Sequence, residues 1–172
     1  MKKTIATLGI ILASTVTSQA AVVMGDLAIV GFNSDDTDNF HVLALNEIAS
    51  GETLLFTDNG WLSSGSFRDN EGTKTYTVGA TIAAGSIIEI GVSEGAGTAP
   101  SLAASGDQVL IFTGSNESPT FVYGLNDDGA GVWQANATSS NNSALPTGLV
   151  NGTTAVISLF LMRAIRQMAF PM

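Results

Sequence analysis

Short apolar stretches recur along the chain and are separated by clusters of Gly, Asn, Asp and Ser. Their β-branched and aromatic content is typical of strands, and the polar clusters between them are typical of turns. The pattern predicts strands over residues 26–32, 40–45, 53–57, 73–78, 86–92, 107–113 and 120–123. No segment from 21 to 150 repeats apolar residues at helical spacing. We therefore predict an all-β fold, a single antiparallel β-sandwich of about seven to nine strands.

Two of these stretches differ in how their faces are patterned. Residues 40–45 are apolar on both faces apart from His41, which predicts a central strand. Residues 73–78 alternate polar and apolar side chains, which predicts a half-exposed strand.

One local phrase occurs twice, 34 residues apart. Ile48-Ala-Ser-Gly51 precedes one predicted strand, and Ile82-Ala-Ala-Gly85 precedes another. We interpret both as tight turns in which the glycine takes a backbone angle that other residues resist. Two copies are too few for a solenoid.

The first twenty residues have the three parts of a secretory signal peptide. A basic start with Lys2 and Lys3 leads into an apolar run over 5–16, and Ser18-Gln19-Ala20 supplies small residues for cleavage after Ala20. The alternative is a buried N-terminal helix or strand. The expected domains are therefore a signal peptide over 1–20, a sandwich over 21–156 and an atypical tail over 157–172.

The tail differs abruptly in composition from the rest of the chain. All fifteen acidic residues lie between Asp26 and Asp128, whereas residues 157–170 are apolar and basic. Three interpretations stay open: a strand running into an amphipathic helix, a degenerate membrane anchor, or a truncation or frameshift of the original end. The apolar run over 155–162 is far shorter than the ~20 residues of a spanning helix.

Charge and composition exclude several function classes. Between residues 21 and 156 only Arg68 and Lys74 oppose the fifteen acids, so this region carries a net charge of −13. A chain this acidic does not bind nucleic acid by neutralising phosphates. There is no cysteine for a disulfide or thiolate site, and the single His41 rules out a multi-histidine metal centre.

The loop after the first predicted strand is a candidate calcium site. Asp35, Asp36 and Asp38 lie between Asn33 and Asn39, and such oxygen donors suit Ca²⁺. Their spacing does not fit an EF-hand. The alternative is a solvated loop whose Asx side chains cap turns.

Asp58-Asn59-Gly60-Trp61 is the second candidate. Asn59-Gly60 predicts a tight turn, because both residue types tolerate positive φ. Asp58 would cap that turn or join the acidic loop around a cation. Trp61 would either pack across the sandwich or stack on a bound ligand.

Catalysis has little support in the residues. His41 lies in an apolar stretch without a nucleophile motif, so a hydrolytic triad is not predicted. We expect no catalytic residues and no enzyme activity.

The expected role is a secreted structural or adhesion-like module, extracellular or at the cell surface, with a periplasmic location also open. A polysaccharide or surface protein is its expected partner, and after signal cleavage no firm membrane contact is expected. The alternatives are a Ca²⁺-dependent ligand-binding accessory module of a secreted hydrolase, and a carboxylate-based hydrolase.

Several segments resemble a family of secreted bacterial β-domains of uncharacterised function. They are Gly25–Asn33, Ile48–Trp61 with its Thr-Asp-Asn-Gly-Trp motif, Phe67–Gly72, Ser105–Phe112 and Pro119–Asn126. The resemblance covers roughly residues 24–156. The order of strands and glycine turns also resembles, more loosely, that of lamin-tail-type Ig-like sandwiches. It implies an accessory module beside secreted hydrolases and supplies no catalytic residues. Many members carry a PEP-type C-terminal sorting signal, whose Pro-Glu-Pro triplet this chain lacks.

Overall fold

A computed structural model of the chain describes residues 21–35 and 37–158. Within them the chain forms nine strands. They are β1 (Leu27–Asn33), β2 (Asn39–Ala44), β3 (Thr53–Thr57), β4 (Thr73–Thr77), β5 (Ile87–Ile90), β6 (Ala96–Gly97), β7 (Gln108–Ser115), β8 (Ser118–Asn126) and β9 (Ala155–Ile157). The predicted signal peptide, Asp36 and the tail from residue 159 lie outside the described residues.

The strands form two sheets, and the predicted all-β sandwich is confirmed. The smaller sheet has the order β1-β2-β5, and the larger has the order β6-β4-β3-β7-β8-β9. Strand β2 is central in its sheet, as its apolar faces predict. Every pair of neighbouring strands is antiparallel except β8 and β9, which are parallel.

The main core lies between the two sheets. Alternate side chains of each sheet point inward, including Leu27, Phe40 and Ile90 from the smaller sheet and Phe56 and Ile111 from the larger. Phe40 and Phe56 meet across the interface with ring centroids 5.5 Å apart.

A second apolar cluster covers the other face of the larger sheet. Leu110 and Phe112 point to this face and pack with Phe121, Ala144 and Leu149. Strand β7 is therefore buried on both faces over Gln108–Phe112, which explains its unbroken apolar run. The irregular segment after β8 acts as a third layer here.

The repeated phrase forms two equivalent turns that contact each other. Gly51 and Gly85 have φ of 93° and 86°, which confirms the predicted backbone angle. Ile48 and Ile82 form an antiparallel bridge in which each N–H donates to the other's carbonyl at 2.9 Å. One turn connects β2 to β3 and the other connects β4 to β5, so both carry the chain between the sheets.

Candidate functional site

Three acidic residues that are distant in sequence meet at one end of the larger sheet. Asp58 directly follows β3, Glu71 closely precedes β4, and Asp107 directly precedes β7. Thr57 pairs with Thr73 on one side and with Leu110 on the other, so the pairing brings these three strand ends together. Asp58 and Asp107 have no exposed surface.

One loop segment holds three carboxylates through successive backbone amides. The N–H groups donate from Ser101 to Asp58 Oδ2 (2.6 Å), from Leu102 to Asp38 Oδ2 (2.8 Å) and from Ala103 to Asp107 Oδ2 (2.8 Å). The other oxygen of Asp107 accepts the N–H of Gln108 at 2.8 Å. These bonds connect the loops before β2, after β3 and before β7 to a single short segment, residues 101–103.

Three side-chain oxygens at this end of the sheet are buried without a hydrogen-bond partner. They are Asp58 Oδ1, Glu71 Oε2 and Gln108 Oε1. The Gln108 side chain is itself fully buried, and its Nε2 donates to the carbonyls of Asp58 and Ser140. A buried acceptor without a partner costs about 1–3 kcal/mol, and more when it is charged.

The pKa values of these carboxyls reflect burial and mutual repulsion. Burial, with the charges of Asp58 and Asp107, raises the pKa of Glu71 to about 8. Burial raises the pKa of Asp107 to about 7 against its two backbone hydrogen bonds, and it also raises the pKa of Asp58. Arg68 is a cationic neighbour that lowers the pKa of Glu71, and it does not offset these effects.

Stability should therefore fall as pH rises when no divalent cation is present. A carboxyl whose pKa is raised in the folded state keeps its proton there after the unfolded chain has lost it, so folding loses free energy between the two pKa values. For Glu71 and Asp107 that window runs from about pH 4 to pH 8. With solvent screening at the partly exposed Glu71, we expect a loss of about 2 kcal/mol from pH 5 to pH 8.

Urea unfolding with a chelator over that pH range measures the effect. The Glu71→Gln variant should show a smaller slope of unfolding free energy against pH, because it lacks one of the titrating groups. A free energy of unfolding that rises from pH 5 to pH 8 would contradict the prediction.

The predicted Asn59-Gly60 tight turn is wrong. Neither residue has positive φ, and the chain turns later, where the Leu62 N–H donates to Ser66 O at 2.8 Å. Asn59 instead spans the β3–β4 hairpin: its Oδ1 accepts the N–H groups of Asn70 and Glu71, both at 2.9 Å. Gly60 is needed for close approach, since a Cβ there would lie 2.3 Å from Asn142 O.

The structure brings together two of the four predicted calcium candidates, Asp38 and Asp58. Asp35 is exposed, and its N–H donates to Asn33 Oδ1 at 3.2 Å, an Asx turn. Asp36 lies outside the described residues. Asp38 and Asp58 come close enough for the charge of Asp38 to raise the pKa of Asp58. Among the described residues, no three Asp, Glu or His side chains are grouped so as to hold a metal by themselves.

Three residues at this site were not predicted: Glu71, Asp107 and Gln108. Each stands alone in sequence and resembles a solvated polar residue at the end of a strand. The only sequence signal for them was their position next to a predicted strand, because strands that pair in register bring such residues to the same end of the sheet.

Trp61 packs on the larger sheet's outer face instead of across the sandwich or toward a ligand. It is 5% exposed, and its ring makes edge contacts with Phe67 and Phe121 at centroid distances of 5.1 and 4.8 Å. The backbone N–H of Trp61 donates to Ser143 Oγ at 2.8 Å, which fixes the chain at this position. The indole therefore has no open face for stacking on a ligand.

The chain was compared with protein-family models, curated proteins and solved structures. No match was found in any of the three. No helix within the described ranges is long and apolar enough to cross a membrane.

Proposed function

We propose that this protein is an exported, non-catalytic structural or adhesion-like module that acts outside the cell or at its surface. The proposal rests on one observation: the carboxylates of the candidate site are hydrogen-bonded to backbone N–H groups and so hold loops in place. Asp38, Asp58 and Asp107 accept backbone N–H groups from residues 101–103 and so fix several loops in one arrangement. A sandwich with its loops fixed in this way presents a preorganised surface to a partner.

The acidic surface and one polar groove support a binding role. An open groove on the larger sheet is lined by Thr53, Leu55, Thr73, Thr75 and the β7–β8 turn over 114–117. Its hydroxyl groups can donate and accept hydrogen bonds, which suits a polysaccharide or a polar protein surface. The resemblance to secreted bacterial β-domains agrees with such a role.

Export should remove the first twenty residues. In a bacterial host, the chain recovered outside the cytoplasm should begin at Ala21, because Ser18 and Ala20 fit the cleavage position. N-terminal sequencing and intact mass measure this directly. An Ala20→Arg variant should remain uncleaved, and an unprocessed wild-type chain in the cytoplasm would contradict export.

Binding of the mature chain to cells of the organism that produces it tests the proposed adhesion-like role. The labelled mature chain should bind cell-surface or matrix material saturably, and excess unlabelled chain should compete. The absence of saturable retention would contradict an adhesion-like function.

A second candidate is a Ca²⁺-dependent accessory module of a secreted hydrolase. The three unpartnered buried oxygens favour it, because they are acceptors of the kind Ca²⁺ binds. A chelator would abolish retention in this case and leave it unchanged for a Ca²⁺-independent module. A carboxylate-based hydrolase gains no such support, because Asp58 and Asp107 are fully buried rather than in an open cleft.

A further inference from the structure

The three buried oxygens without a hydrogen-bond partner all need a donor or a cation. When both carboxyls are ionised, Asp58 Oδ1, Glu71 Oε2 and Gln108 Oε1 are all acceptors. Two belong to carboxyl groups, and Asp58 and Gln108 have no exposed surface at all. The hydrogen bonds of these side chains use their other atoms: Asp58 Oδ2 accepts from Ser101 N, and Gln108 Nε2 donates to Ser140 O. The remaining oxygens belong to residues at the same end of the larger sheet, and each needs an electron-poor partner.

Neighbouring charges favour a cation as that species. Asp38 and Asp107 add negative potential around Asp58. Asp38 Oδ2 and both oxygens of Asp107 accept backbone N–H groups. Arg68 lies near Glu71 and donates its Nε–H to Asn70 Oδ1 at 3.0 Å. A bound cation would offset the excess negative charge of the buried carboxylates, which is otherwise costly in a poorly solvated site.

We propose that Asp58, Glu71 and Gln108 bind one Ca²⁺ ion at this end of the larger sheet. Two carboxylates with one amide oxygen form a hard, mixed set of oxygen donors, and Ca²⁺ accepts such sets in flexible geometry with six to eight ligands. Backbone carbonyls and water would complete the shell. The site differs from the predicted Asp35–Asp38 loop site: Asp38 supplies charge and not a ligand, and Asp35 takes no part.

This site would join the base of the β3–β4 loop to the start of β7. Asp58 and Glu71 flank the hairpin loop, and Gln108 opens β7. The ion would therefore stabilise the folded chain without contacting a partner, so the inference stands whether or not the surface role is correct.

Thermal melting with Ca²⁺ tests the proposal. At a Ca²⁺ concentration about 100 times the Kd, the melting temperature of the purified chain should rise by about 5–10 °C over the chelated protein. Mg²⁺ should raise it less, because Mg²⁺ demands a stricter octahedral shell. Equilibrium dialysis should find one Ca²⁺ per chain.

Matched variants identify the ligands. Glu71→Gln should lose most of the Ca²⁺-induced shift. It should melt no lower than the wild type in chelator, because it removes a carboxyl group whose ionisation is opposed by burial and by Asp58 and Asp107. Glu117→Gln, an exposed acid in the turn at the opposite end of β7, should keep the full shift. A shift below 1 °C at 10 mM Ca²⁺ with no ion retained in dialysis would overturn the proposal, as would a full shift in Glu71→Gln. If Glu71→Gln fails to fold, dialysis of the wild-type chain alone decides.

Discussion

Replacing Trp61 with alanine is expected to lower the free energy of unfolding by about 3–5 kcal/mol. Trp61 is 5% exposed, and its indole packs against Phe67 and Phe121, which also contact each other, on the outer face of the larger sheet. Alanine would leave a cavity under the segment that covers this face, and it would remove edge contacts worth about 0.5–1.5 kcal/mol each. Equilibrium unfolding in urea measures the loss.

The size of this loss separates the two interpretations of Trp61. A tryptophan exposed for stacking on a ligand would cost little stability when truncated, whereas a packed one costs several kcal/mol. Val92→Ala, at a side chain 66% exposed, is the control and should change stability by less than about 0.5 kcal/mol. A loss below 1 kcal/mol for Trp61→Ala would show that the aromatic cluster is not formed as described.

Gly60→Ala should be nearly as damaging, at about 3 kcal/mol, although it adds only one methyl group. The added Cβ would lie 2.3 Å from the carbonyl oxygen of Asn142 and 2.9 Å from the Cβ of Ala137. The first contact is with backbone, which cannot turn aside as a flexible side chain would. The segment over 137–142 would have to move away from the β3–β4 hairpin.

Gly79→Ala is the matched control for this substitution. A Cβ at Gly79 meets nothing within 4 Å, and its φ is not positive. Alanine there should be neutral or slightly stabilising, because it restricts the unfolded chain. Equal destabilisation of both variants in urea unfolding would contradict the close approach at Gly60.

Strand positions were largely predictable because their signal is local. The predicted 53–57 strand matches β3, and the apolar faces of 40–45 place β2 at the centre of its sheet. Strands β6 and β9 were missed because two or three residues carry too little alternation to recognise. Their existence depends on pairing with β4 and β8, which are distant in sequence.

Burial of polar side chains was not predictable, since it depends on tertiary neighbours. Lys74 is 2% exposed in a strand predicted to be half exposed, and its Nζ donates to Val92 O. In the sequence, Asp107 is an ordinary acid at the start of the predicted strand 107–113. In the structure it is buried, and its Oδ2 accepts the N–H of Ala103. The sequence analysis named Asp38 and Asp58 as candidates. It could not show that both accept hydrogen bonds from neighbouring backbone amides, those of Leu102 and Ser101.

The mutual bridge between Ile48 and Ile82 joins the two sheets at the point where the chain passes from one to the other. Strands β2 and β3 pair with β5 and β4 respectively, so residues 39–90 form one two-stranded ribbon creased at this bridge, with one half in each sheet. The sheets cannot slide past each other without opening the crease, because each is a continuation of the other. Tension on one sheet is therefore transmitted to the other through the backbone itself, and the sandwich resists shear as a single body.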